Sequence, residues 1–173
     1  NVPARRNFLK SNTLELKYII EEFFRVALVH PDISFVFYNH DKILHQLPSG
    51  NLKQRISNLY GPAYSQRLIP VQQQTDLVNI SGFIGKPEFA KKTRGEQYFF
   101  TNGRFMKSPY LHHAVESAFK ELIPDDSIPS YYIYMEVDPQ TIDVNIHPTK
   151  TEINFQDIKS IYAILHAAVK QSI

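Results

Sequence analysis

DVNIHPTKTEINF, residues 143–155, is the stretch on which the reading of this chain turns. Val144 and Ile146 supply the alternate apolar side chains of a short strand. Pro148 disfavours the helical region for His147 and interrupts the strand there. Ile153 and Phe155 restore the alternation beyond it. The pattern places Lys150 on a loop tip held from both sides, where its ammonium group can present a compact positive charge to a phosphate. A solvated loop lysine is the plainer alternative, and the local pattern leaves both open.

Moving outward, SYYIYMEVDP (130–139) is apolar on both alternating faces and predicts an interior strand. Before it, PYLHHAVESAFKELI (109–123) predicts a helix opened at Pro109-Tyr110 and ended by Pro124-Asp125-Asp126. EQYFFTNGRFM (96–106) predicts a strand that turns at Asn102-Gly103, with Tyr98, Phe99 and Phe100 in the core rather than serving as base-stacking platforms. KPEFAKKTRGE (86–96) has no apolar period and predicts a polar loop. LIPVQQQ (68–74) and TDLVNISGFIG (75–85) predict two strands, and NLKQRISNLYGPAYSQRL (51–68) a short helix broken by Gly61-Pro62.

Near the start, LELKYIIEEFFRVALVH (14–30) predicts a helix capped by Ser11 or Thr13, with Leu16, Ile19, Ile20, Phe23, Phe24, Ala27 and Leu28 recurring at three and four. ISFVFYN (33–39) and KILHQL (42–47) predict a hairpin around Asn39-His40-Asp41. At the other end, IDVNIHPTKTEINF (142–155) predicts one strand interrupted by its proline, and DIKSIYAILHAAVKQSI (157–173) a closing helix capped by Asp157. Strands and helices do not follow the strict βαβα rhythm of a doubly wound sheet. The expected class is α+β, a mixed β-sheet with helices packed mainly on one side.

A length of 173 residues, 43% of them apolar and 21% charged, is ordinary for one globular domain with a full core. No apolar run approaches the roughly 20 residues of a membrane helix, and no signal peptide opens the chain, so no membrane partner is expected. Cysteine is absent, which excludes disulfides, a thiolate nucleophile and cysteine–zinc sites, and fits a cytoplasmic location. The net charge of +2 is uninformative, but its distribution is not. Lys86, Lys91, Lys92, Arg94, Arg104 and Lys107 face only Glu88 and Glu96 between residues 86 and 107, and Arg5, Arg6 and Lys10 make the start basic. Such clustering either attracts a polyanion or forms a solvated face. The opening NVPARRNFLKS lacks an initiator methionine and is proline-punctuated, as expected of a piece of a longer chain.

Several chemistries fail on spacing. Gly82-Phe-Ile-Gly85-Lys86-Pro87 has two residues between its glycines where a phosphate loop needs four, and Pro87 stands where that loop needs a hydroxyl. His112 and His113 point to different faces of one helix, with no ligand at metal-binding spacing. No nucleophile elbow is present.

The motifs together resemble the MutL family of DNA mismatch-repair ATPases. NVPARRNFLKS is similar to that family's NTPARRKFLK motif, TNGRFMKSPYLHHAVESAF to its VNGR segment and following helix, and YMEVDPQTIDVNIHPTKTEINF to its L-x-I-x-P-x-x-V-D-V-N-V-H-P-x-K-x-E-V-x-F signature. Their order runs through essentially the whole chain. The resemblance implies residues 1–10 as the remnant of a junction with an absent ATPase domain, and 11–173 as a single transducer domain. It also implies a left-handed βαβ crossover, as in the second domain of gyrase B and a ribosomal small-subunit protein, against the usual rule.

Carried over residue by residue, the resemblance makes Lys150 the contact to the γ-phosphate of ATP in the intact protein. Asn1, Pro3, Ala4, Arg5 and Arg6 fall at the domain junction, with Val2 departing from the usual threonine. Arg104, with Lys107, Lys91, Lys92 and Arg94, falls in the DNA-binding region. ATP and magnesium belong to the intact protein and no cofactor to this chain, which lacks the ATPase domain's nucleotide pocket. The chain alone is then no enzyme, its parent is an ATPase, and no metal site is expected here. Implied partners are double-stranded DNA, bound weakly and non-specifically, the chain's own ATPase domain, a second copy as a homodimer, and a mismatch-recognition protein. The alternatives are a stand-alone nucleic-acid-binding module of the same fold, the transducer of another ATPase such as gyrase B, and a purely structural domain.

Overall fold

The computed structural model describes residues 12–144 and 151–173, which fall into two compact units divided between Leu59 and Tyr60. In the first unit, helix α1 (Asn12–Val29) is followed by the antiparallel hairpin of β1 (Phe35–Asn39) and β2 (Lys42–Leu47). His40 takes a positive φ of 54° at the expected turn. Phe23 of α1 packs against Phe35, Phe37 and His45, with ring centroids 4.9–6.0 Å apart, which fixes the inward face of the hairpin. Ala27 and Leu28 are fully buried, whereas Ile19 is 53% exposed and lies off the face its spacing predicted.

Helix α2 (Leu52–Tyr60) brings Arg55 into this unit at 1% exposure. Its guanidinium donates to the carbonyl oxygens of Ala27 (2.7 Å), His30 (3.0 Å), Pro31 (3.1 Å), Ile33 and Pro48 (3.1 Å). The first of these lie at the C-terminal end of α1, where carbonyls lack helical partners and carry the negative pole of the helix. Arg55 thereby ends α1 and holds the two connections that flank the hairpin.

The second unit is built on a five-stranded sheet in the order β3 (Leu68–Gln74), β4 (Asn79–Gly85), β7 (Tyr131–Glu136), β5 (Gln97–Thr101), β6 (Arg104–Met106). All its neighbours are antiparallel except β5 and β7. That parallel pair is joined through α3 (Pro109–Phe119), a βαβ crossover, so the sheet is mixed as expected. β7 occupies the centre, which explains why its sequence is apolar on both faces. Ile133 and Met135 share a core with Leu111 and Val115 of α3 and with Leu165 and Val169 of α4 (Ile158–Ser172). On the opposite face Tyr132 stacks on Tyr98, whose ring in turn stacks on Phe100. Both helices therefore cover one side and aromatic rings form the other.

Gly82 lies inside β4 at φ 122°, where a Cβ would overlap the Tyr132 carbonyl oxygen. That glycine serves strand packing and no phosphate cradle. Two further elements differ from expectation. The regular part of α3 ends at Phe119 rather than near Ile123, its last turn closing through Leu122 and Ile123 amides on the Phe119 carbonyl. The final strand is two strands, β8 (Ile142–Val144) and β9 (Ile153–Phe155), paired antiparallel with Val144 opposite Ile153. Among the described residues, no helix is long and apolar enough to cross a membrane.

Candidate nucleic-acid interface

The hairpin of β5 and β6 turns on Asn102 (φ 50°) and Gly103 (φ 78°), the pair of positive φ angles that two-residue turns of this hand require. The turn delivers Arg104 to the surface. Met106, 1% exposed, anchors β6 from beneath, and Lys107 follows it, again exposed. Ser108 then caps α3 by accepting a hydrogen bond from the Leu111 amide at 3.2 Å, with Pro109 in the first turn. Tyr98, Phe99 and Phe100 are all buried, so no ring of β5 is offered for base stacking.

Asn102 does more than turn the chain. Its side-chain nitrogen donates to the Val137 carbonyl and its side-chain oxygen accepts from the Val137 amide, both at 3.0 Å. Its backbone amide also donates to Met135 at 2.9 Å. On the far side of β6, the Lys107 amide donates to the Thr151 carbonyl at 3.1 Å. The hairpin bearing Arg104 is thus bonded to the chain immediately after β7 and again at Thr151.

The basic loop is anchored rather than free. Lys91 and Ile128 exchange both backbone hydrogen bonds, at 2.6 and 3.2 Å. The Lys91 ammonium lies 2.5 Å from the carboxylate of Glu96, which is 8% exposed and also accepts from the Tyr64 hydroxyl. Lys92 stands 3.2 Å from Asp126, with both groups exposed. Arg94, Arg104 and Lys107 are exposed and form no ion pair among the described residues. Of the five expected DNA-facing cations, the structure therefore gives two a carboxylate partner and leaves three open to an anion.

Beside Arg94 lies a half-buried histidine. Burial lowers the pKa of His112, and the Arg94 charge lowers it further, against the opposing pull of Glu116. Its Nδ1 is 2.7 Å from the Tyr131 hydroxyl and its Nε2 3.4 Å from the Glu116 carboxylate. His113 instead points outward to the Tyr162 hydroxyl at 2.6 Å. The two histidines do face differently, and among the described residues no group of His, Asp and Glu is placed to hold a metal ion.

Lys150 and the junction residues Asn1, Pro3, Ala4, Arg5 and Arg6 lie outside the described residues. Residues that sequence reading missed are Asn102, Glu96 and Tyr64. The turn pattern at Asn102 carries no sign of its side-chain bonds, and Glu96 enters the charge count only as one of two acids among six cations.

Comparison with known proteins fits this geometry. The model of the DNA mismatch repair protein C-terminal domain matches residues 56–173. The DNA mismatch repair protein MutL of Christiangramia forsetii is 57% identical over all 173 residues. The chain belongs to the MutL family. It spans 28% of the length of that MutL relative. Among solved structures, the N-terminal domain of a DNA repair protein superposes with a TM-score of 0.76 at 18% identity, over 99% of this chain and 57% of that one. The Aquifex aeolicus MutL ATPase domain complexed with ADP gives 0.61 at 17% identity, over 95% of this chain and 53% of that one. At such identities these two likenesses speak for the fold, including its α+β class and mixed sheet.

Proposed function

We propose that this MutL-family chain couples nucleotide binding in the adjoining part of its parent to engagement of duplex DNA during mismatch repair. The observation that carries the reading is the hairpin of β5 and β6, which exposes Arg104 and Lys107 while bonded at Val137 and Thr151 to the two sides of the segment that contains Lys150. In this reading Lys150 contacts the γ-phosphate of ATP, which ADP lacks. Only such differential binding shifts a conformational equilibrium. One charge-assisted contact of about 1.5–3 kcal/mol biases closure by roughly ten- to a hundred-fold.

Closure brings two N-terminal regions together as a homodimer with their basic surfaces around DNA. The junction residues Asn1, Pro3, Ala4, Arg5 and Arg6 meet the chain's own ATPase domain, the mismatch-recognition protein is a further partner, and magnesium accompanies ATP there. In this reading the base for water and the nucleotide pocket belong to the adjoining ATPase domain, and hydrolysis to the parent.

Duplex titration at several salt concentrations tests the DNA arm. Phosphate contacts by Arg94, Arg104 and Lys107 predict weak binding, roughly 10⁻⁴–10⁻⁶ M, with little sequence preference. Arg104→Glu weakens binding alike for all sequences and flattens the salt slope, and the domain stays folded. Strong sequence preference or salt-independent affinity would favour an independent base-reading module. For the nucleotide arm, Lys150→Ala in the intact parent reduces ATP-dependent closure and hydrolysis without altering the melting temperature of this region. Retained closure in that variant removes the sensor role.

A further inference from the structure

We infer that Asn102 is a positioning residue that transmits nucleotide state to the DNA-facing turn, an inference that rests on the coupling reading above. The geometry is unusual for a residue whose backbone already performs a turn. β5 and β7 run parallel with Thr101 opposite Met135, the Asn102 amide makes one more backbone bond, to Met135, and the chain then reverses. The Asn102 side chain takes over. It binds both polar backbone groups of Val137 and so continues the ladder past the turn. Its orientation follows from chemistry: the Val137 amide can only donate and its carbonyl only accept, which assigns oxygen and nitrogen of the side chain without ambiguity.

Val137 is 9% exposed and is followed by Asp138, whose carboxylate accepts from the Gln140 amide at the head of a 3-10 turn, Pro139–Thr141. That turn leads straight into β8, which pairs with β9 on the other side of residues 145–150. The Lys107 amide to Thr151 carbonyl bond closes the circuit from the opposite side. Arg104 therefore sits between two attachments to one stretch of chain, two residues from the first and three from the second. A displacement of Val137 and Thr151 cannot leave the turn in place while both attachments hold. The glutamate–lysine pair and the basic loop offer no comparable link, since neither is bonded to the stretch from Val137 to Thr151 among the described residues.

The test uses the intact parent protein. Affinity for a short labelled duplex is measured without nucleotide, with ADP and magnesium, and with a non-hydrolysable ATP analogue and magnesium, at one fixed salt concentration. The quantity read is the ratio of DNA affinity with the ATP analogue to that without nucleotide, so that any uniform loss of affinity cancels. A wild-type ratio of about tenfold is expected from the usual size of such couplings. Asn102→Gly keeps the positive φ and removes both side-chain bonds. Asn102→Asp keeps the turn and the bond from the Val137 amide but sets a carboxylate oxygen against the Val137 carbonyl. Both variants lower the ratio to less than about threefold. By reciprocity, the effect of DNA on nucleotide affinity falls by the same factor.

A merely structural Asn102 would lower the melting temperature and leave the ratio at its wild-type value in both variants, which overturns the inference alone. A wild-type ratio of one removes the coupling reading and the inference with it.

Discussion

Among the described residues, each unit buries one charged residue almost completely, and the two do so by opposite means. The Arg55 guanidinium is met by the carbonyl oxygens of Ala27, His30, Pro31, Ile33 and Pro48. Glu96 is met by a hydroxyl from Tyr64 and an ammonium from Lys91. Backbone carbonyls are fixed where the chain puts them, so Arg55 does one thing: it holds the end of α1 and the connections around the hairpin in register. A lysine is a surface resource, half-exposed here, so Glu96 has a consequence outside the core. It draws one cation out of the set that faces an anion. The contrast separates a buried charge whose only product is structure from one that also edits a binding surface.

The largest expected effect falls on the purely structural side. Arg55→Met keeps much of the volume and leaves the carbonyls without a donor, at a cost of about 3–5 kcal/mol, the range for breaking a buried charged network. Arg55→Lys does not rescue it, because a point ammonium cannot span acceptors that a planar fork reaches together. Urea unfolding followed by circular dichroism measures both. A loss below about 1 kcal/mol for Arg55→Met would mean that these bonds are replaced by water, and would erase the contrast with Glu96.

What the sequence made legible follows the same division between local and distant causes. The Asn102-Gly103 turn, the Asp157 cap and the doubly apolar β7 each depend on a few neighbouring residues, and the structure has them where the pattern put them. The Arg55 clamp joins residues up to 28 positions apart, and the Asn102 to Val137 pairing joins residues 35 apart. No periodicity carries such information. Lys91 and Glu96 are close in sequence, yet only the burial of Glu96 at the start of β5 reveals that the pair is internal. In the charge count along residues 86–107 the two are one of six cations and one of two acids. The same limit applies to the parallel pairing of β5 with β7, which needs a helix between them and a third element to pack it against.

The next two effects break the pair from either side. Lys91→Met removes a cation that is already neutralised, so duplex affinity changes by less than about twofold, whereas each open phosphate-binding cation contributes close to one unit of salt slope. Stability drops by about 1–2 kcal/mol as Glu96 loses its charged partner. Glu96→Gln does the reverse. Its amide oxygen still accepts from Tyr64, Lys91 is released, and duplex affinity rises roughly twofold to tenfold at low salt, with a steeper salt dependence. An acid-to-amide change that strengthens DNA binding is not expected of a residue with a structural role only. Equal loss of affinity in both variants would place Lys91 itself on the DNA and overturn the assignment.

The smallest effect tests a third way to bury an ionisable group, which is to leave it uncharged. His112 has a carboxylate near Nε2, yet burial outweighs the attraction of Glu116 and Arg94 adds to burial, so its folded pKa lies below the ordinary 6.5. The Tyr131 hydroxyl donates to Nδ1 in the tautomer that carries its proton on Nε2 toward Glu116. The sign follows from linkage. Between the lowered folded pKa and 6.5 the unfolded chain holds more protons on this group than the folded one, so stability rises with pH across that window. The contribution is complete above pH 6.5 and is lost as the pH falls toward the folded pKa. His45, lowered by burial against Phe23 and Phe24, adds a second loss of the same sign in the first unit. Urea titrations of wild type and His112→Gln between pH 5 and 8 isolate the first contribution, since glutamine does not titrate. The variant should show a shallower loss of stability on acidification, while Arg55 keeps its charge and its bonds throughout that range. A variant slope equal to that of wild type would mean that burial and Glu116 cancel and the group titrates alike in the folded and unfolded chain, and a steeper loss in the variant would mean that Glu116 holds His112 protonated when folded, making it a paired charge like Glu96.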